Sequence, residues 1–188
     1  NLNAQSSTAG SGWALLALPG LIWGSSFFLI AEGLEALPPN GITFLRFVFG
    51  FAALALVPGA RRTVRKEDRT GIVWLGLLWL AIPMSLFPFA EQYVSSALTG
   101  MLNGAGPLIT TRTAIAGLLI GLAGAVLMGI TGMSTGHNSI FGIALILTAL
   151  VFYGGAVNIA QRLQQRNGAL PVVWRAIGVA MLAMAPLG

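Results

Sequence analysis

Ser96, Thr99, Asn103 and Pro107 recur at three- and four-residue spacing, so on a helix they share one face. Around them Ser95, Gly100, Gly104 and Gly106 complete the least apolar segment of an otherwise oily chain. Two hydroxyls, an amide and a proline on one face suit the holding of a polar solute rather than bond-making. Such polar, loosened backbone at membrane depth belongs where it lines a cavity or is buried in protein. The same small residues equally permit close helix packing, with Asn103 bonded to a neighbouring helix. Both readings stand at this level.

Other residues extend the set. Trp23 and Tyr153 lie within apolar stretches, away from the interfacial belts. Facing a cavity they can stack a planar or cationic solute, and plain packing is the alternative. Ser26 follows Trp23 by three residues, and Asn158 lies a little over one turn past Tyr153, where its amide needs partners. Trp79, with Pro83, Phe87 and Pro88, suggests a bent helix with aromatics toward one end. The expected substrate-contacting residues are therefore Trp23, Ser26, Trp79, Ser96, Thr99, Asn103, Pro107, Tyr153 and Asn158.

Three charges form a second group. Arg46 sits inside an apolar stretch, about six residues from its end, where the side chain either snorkels or serves an interior site. Glu32 and Glu91 fall near the same membrane face, and Gln92 and Tyr93 adjoin Glu91. One acid pairing with Arg46 would neutralise a costly cation and form an outer gate; alternatively Arg46 holds a substrate carboxylate.

Much chemistry is excluded. The chain has no Cys and one His, His137, which removes thiol chemistry, disulfides and zinc sites. Gly24-Ser25-Ser26 invites comparison with a serine hydrolase, but a general base is needed and His137 lies in a distant connector. No catalytic residue, cofactor or metal is expected.

The elements that carry these residues are membrane spans. Apolar residues make up 56% of the 188 residues and charged ones 8%, and the mean hydropathy is +0.83. Stretches at about 13–33, 40–59, 71–88, 93–111, 114–131, 139–161 and 171–188 are each long enough to cross a hydrocarbon layer of about 30 Å. The residues ahead of them, 1–12, read as a cytoplasmic tail. Arg61, Arg62, Arg65, Lys66, Arg69, Arg112, Arg162, Arg166 and Arg175 all lie at alternate connectors, whereas Glu35, Glu91 and His137 mark the others. By the positive-inside rule the N-terminus is cytoplasmic, and the basic residues answer to the bilayer rather than to nucleic acid. The 61–69 connector fixes orientation and secondarily meets anionic lipid. Gly117, Gly121 and Gly124 form a stripe for tight helix contact, within the subunit or in a homo-oligomer.

A shift of 130 places sets Ile22 to Ser26 on Phe152 to Ala156, and a shift of 129 sets Arg46 on Arg175. If the two stretches open equivalent units of five spans, the units are inverted.

Gly20 to Phe28, Pro39 to Arg46, Ser95 to Leu108 and Gly117 to Met128 together resemble the drug/metabolite transporter superfamily, and within it the ten-span EamA-type exporters that include aromatic amino acid exporters. The resemblance implies two inverted five-helix repeats, 13–131 and a second beginning at 139–188, and a central cavity lined mainly by spans 1, 3, 4, 6, 8 and 9. It also implies that three spans would follow residue 188, and that residues are missing near 110–113. The expected function is export of small metabolites, amino acids or similar amphiphiles, from a bacterial-type inner membrane by alternating access. A scaffold or channel subunit is the alternative, and an intramembrane hydrolase a more distant one.

Overall fold

The computed structural model describes residues 21–104 and 139–187. Pro107, Arg112, His137, the fifth expected span and its glycine stripe lie outside the described residues. The described residues are helical and contain no strand. Helix α1 is Leu21–Gly33 and α2 is Pro39–Ala55. Turns at Pro58–Arg61 and Lys66–Asp68 lead into α3, which runs as Arg69–Leu75, a π-helical stretch Gly76–Ala81 and Ile82–Glu91. Then come α4, Ser96–Gly104, α5, Ile140–Asn167, and α6, Ala169–Met184.

Local sequence accounts for the boundaries. Pro39 opens α2 at a position where no backbone donor is required. That helix stops at Ala55, four residues short of the expected end of span 2, because Val57 precedes Pro58 and is extended. Ser139 caps α5 by accepting the Gly142 N–H at 3.1 Å. Gly168, with φ +85°, supplies the one left-handed residue among those described and turns α5 into α6 within a single position.

The prolines of α3 shape its middle. Pro83 cannot donate to the carbonyl four residues back, and its ring crowds that carbonyl; the helix widens into the π stretch just before it. Pro88 likewise leaves the Met84 carbonyl without its intrahelical donor. The Thr43 hydroxyl of α2 fills that vacancy, 3.3 Å from Met84 O and 3.1 Å from Pro39 O, in a residue that is almost fully buried.

Two apolar clusters share α3 and α5. Phe27, Ile30, Phe87, Leu98, Leu102, Ile146 and Leu150 join α1, α3, α4 and α5. Phe47, Leu75, Leu80, Ala160, Leu163, Val172 and Ala176 join α2, α3, α5 and α6. Small residues allow the closest approaches. A Cβ on Gly76 would lie 2.7 Å from the Ala176 carbonyl oxygen, and one on Gly142 would lie 2.7 Å from Val94 Cγ1. Outside these contacts Leu21, Ile22, Phe28, Leu29, Phe49 and Leu182 stand exposed, the apolar exterior of a helical membrane protein. The helical runs Lys66–Glu91 and Ile140–Asn167 are each long and apolar enough to cross a bilayer.

Hydrogen bonds between distant segments define two ends. At one, the Arg65 N–H donates to Asn167 Oδ1 at 2.9 Å, tying the basic connector to the α5–α6 turn. At the other, the Ser139 N–H donates to Tyr93 O at 2.9 Å, tying the start of α5 to the α3–α4 connector.

Candidate functional site

Arg46 is on the inward side of α2, the helix that Thr43 fastens to α3 one turn earlier. Its Nη2 donates to Ser26 Oγ of α1 at 2.8 Å. Among the described residues its Nη1 is buried and meets no hydrogen-bond partner, and both carboxylate oxygens of Glu91, at the end of α3, are in the same condition. Arg46 lies within electrostatic range of Glu91 and of Tyr153 on α5. The two opposite charges nevertheless form no ion pair; among the described residues that contact is made only by Arg166 and Asp68. Four helices thus bring together a guanidinium, a carboxylate, a phenol and a hydroxyl in an apolar setting.

Glu91 also borders a cavity of about 440 Å³, whose other walls include Ala31, Tyr93, Ser95, Ser96 and Ser139. That volume is within the range of small-ligand pockets. The arrangement offers a carboxyl group and a set of hydroxyls at the cavity, with an incompletely satisfied guanidinium within electrostatic range of that carboxyl. It suits the recognition of a small charged or zwitterionic solute. Ser26 is held by a guanidinium and not by a base, an arrangement that orients a hydroxyl without activating it as a nucleophile.

The expected residues divide. Ser26, Arg46, Glu91 and Tyr153 converge, and Ser96 shares the cavity wall with Glu91. Glu32 is exposed, and Glu91 is the acid that faces Arg46. Thr99 is fully buried with its hydroxyl donated to Ser95 O at 3.1 Å, so it belongs to packing in this structure. Tyr153 packs against Phe87, with ring centroids 6.0 Å apart, and does not stack with Trp23, which is exposed and has no ring partner among the described residues. Phe87 intervenes because it also packs edge-on against Phe27 and fills the space between α1 and α5. Trp79 packs against the second cluster, away from this site. Asn103 is half-buried and Asn158 exposed, and neither makes a hydrogen bond among the described residues.

A second polar centre escapes the sequence reading. Asp68, nearly buried, accepts Arg166 Nη1 at 3.0 Å and Asn167 Nδ2 at 2.8 Å. Asn167 also donates to Leu163 O at 3.1 Å and accepts the Arg65 N–H. Asp68 belongs to the polar turn ahead of the apolar part of α3. The Asn167 amide, then the Arg166 guanidinium and the Arg65 charge, hold its carboxyl below the ordinary 3.8, against the opposing effect of burial. The available signal was an acid standing alone with Glu67 among five basic residues.

Residues 10–130 match the EamA-like transporter family. The chain belongs to that family. The EamA-like match takes in Ser26, Arg46 and Glu91, whereas Tyr153 lies beyond it. Among curated relatives, an "Uncharacterized inner membrane transporter YedA" of Escherichia coli (strain K12) is 29% identical over 185 residues, covering 90% of this chain and 58% of the relative. "Protein PagO" of Salmonella typhimurium (strain LT2) is 27% identical over 134 residues, covering 70% of this chain and 43% of the relative. The chain therefore spans about half the length of these relatives. No solved structure matches it.

Proposed function

We propose that this protein is a secondary transporter of a bacterial-type inner membrane, with a cytoplasmic N-terminus, that exports small metabolites, amino acids or similar amphiphiles, by alternating access. The observation that carries this reading is the unfilled pair Arg46 and Glu91, buried, opposite in charge and held apart, with Glu91 on a cavity wall. An uncompensated buried charge costs several kcal/mol, so a solute that supplies both counter-charges gains what the site lacks. A zwitterion does so, with its carboxylate toward Arg46 and its ammonium toward Glu91. An empty site can instead draw the two side chains together, which gives a solute-dependent difference between states.

Two features support the wider architecture. Helices α1, α3, α4 and α5, the first, third, fourth and sixth expected spans, share the apolar cluster around this site. Arg46 and Arg175 each lie about two turns into α2 and α6, helices that pack against each other. Those two helices start from opposite ends of the molecule, as inverted repeats require.

The test is efflux from proteoliposomes holding the full-length gene product, with radiolabelled amino acids against their decarboxylated amines and their deaminated acids. Saturable export of zwitterions, weakly inhibited by either single-charge analogue, is expected. Absence of flux for all three classes from folded protein would refute the transport reading, and equal inhibition by amines alone would remove Arg46 from recognition.

A further inference from the structure

A cleft of about 400 Å³ opens between α2, α3 and α6 at the basic end and shares no lining residue with the cavity beside Glu91. Its charged rim is Arg69 and Arg175. One turn further along α3 comes Val73, and one and two turns further along α6 come Val179 and Leu182. Both helices leave the basic end in the same direction, so the cleft is graded, cationic at its mouth and apolar toward the middle of the molecule.

The rim is built and its charge is not cancelled. Trp174 stacks on Phe51 at 5.0 Å and 14°, with its indole N–H donated to Phe51 O at 3.3 Å. The Arg175 guanidinium carbon sits 5.4 Å over the Trp174 ring, and its Nη1 reaches Pro171 O at 3.1 Å and Ala60 O at 3.4 Å. Those acceptors are neutral carbonyls, so Arg175 is positioned while its full charge faces the cleft. Arg69 is exposed and forms no ion pair among the described residues. The nearest acid in sequence, Asp68, is occupied by Arg166 and Asn167, which leaves exposed Glu67 against Arg61, Arg62, Arg65 and Lys66.

We infer that this cleft binds one anionic phospholipid of the surrounding bilayer, its phosphate against Arg69 and Arg175 and an acyl chain along Val73, Val179 and Leu182. A soluble anion would leave the apolar floor unused, and an uncharged chain would leave two guanidinium groups unanswered. Basic clefts between helices at the membrane interface recognise anionic head groups in this way. The inference does not depend on transport, because its readout is binding.

The experiment is lipid binding to the full-length protein in detergent, followed by native mass spectrometry and by thermal shift. The probes are phosphatidylglycerol, phosphatidylcholine and water-soluble glycerol 3-phosphate. Two arginines near a head group predict about a thirtyfold preference for phosphatidylglycerol over phosphatidylcholine, with little effect of glycerol 3-phosphate. Arg69→Gln, at an exposed side chain with no bond to lose among the described residues, should cut that preference about fivefold, and Arg69→Gln with Arg175→Gln should abolish it. An undiminished preference in Arg69→Gln would overturn the site, as would glycerol 3-phosphate binding as well as the lipid.

Discussion

Asp68 and Glu91 are both largely withdrawn from solvent, yet among the described residues one is enclosed by partners and the other by none. Asp68 accepts from Arg166 and Asn167, and Asn167 spends its remaining donor and its acceptor on Leu163 and Arg65. Glu91 faces Arg46 without pairing with it, and both carboxylate oxygens and Arg46 Nη1 are unmatched among the described residues. A fold that completes one ionic centre to the last hydrogen bond and leaves another open has used the first for itself. On the proposed function, the incomplete centre is where a solute has something to add.

The comparison breaks most directly at the open centre. Arg46→Gln or Glu91→Gln should lower substrate flux by about thirtyfold or more, the penalty of removing one charge of a desolvated pair. Each should shift the unfolding midpoint far less than it shifts flux, because the two side chains form no ion pair whose loss the fold would feel. A fall in stability with intact flux would place the pair with Asp68 as structure. Away from both centres, Gly76→Val should cost about 3 kcal/mol, because the new Cβ would meet the Ala176 backbone oxygen, which cannot move aside. Unfolding in detergent should report this loss while substrate affinity of the folded fraction is retained. Thr43→Val should cost about 1 kcal/mol by leaving Met84 O without its donor, again read by unfolding.

The smallest effect sharpens the closed centre. Because the native Asp68 carboxyl titrates below its ordinary 3.8, its contribution to stability is fully present above that value. It is lost as the pH falls through the lower native value. Stability measured from pH 6 downward should therefore show a decline beginning under pH 4. In Asp68→Asn that segment of the curve should flatten, and the midpoint at neutral pH should fall. An unchanged curve would remove Asp68 from the account.

Arg46 and the acids near it were legible in the sequence, since an arginine inside an apolar stretch demands a reason. The identity of its partners was not, because Glu32 and Glu91 approach the same membrane face and only the packing of α2 on α3 decides between them. Among the described residues the helical spans were legible from hydropathy to within a few residues, except where Pro58 cut α2 short and where α5 runs on to Asn167, six residues past its expected end. The Asp68 centre was not, because its partners lie about a hundred residues away and periodicity carries no information across that distance. Trp23 and Tyr153 were read alike, as cavity-facing or packed aromatics, yet Trp23 is exposed and Tyr153 packs on Phe87, which also meets Phe27, a placement that repeat position does not encode. The vacancy at Met84, by contrast, follows from Pro88 alone and could have been foreseen.

The Thr43 hydroxyl has a single proton and two carbonyl oxygens within reach, Pro39 O in its own helix and Met84 O across the interface. Should α2 draw away from α3, the proton passes to Pro39 O and no donor is stripped bare. Met84 O then faces the widening gap, where water can take it up. The join between these helices is thus a hand-off in which the Thr43 proton keeps an acceptor throughout, so the arginine-bearing helix can part from its neighbour and return with only the Met84 carbonyl changing partner.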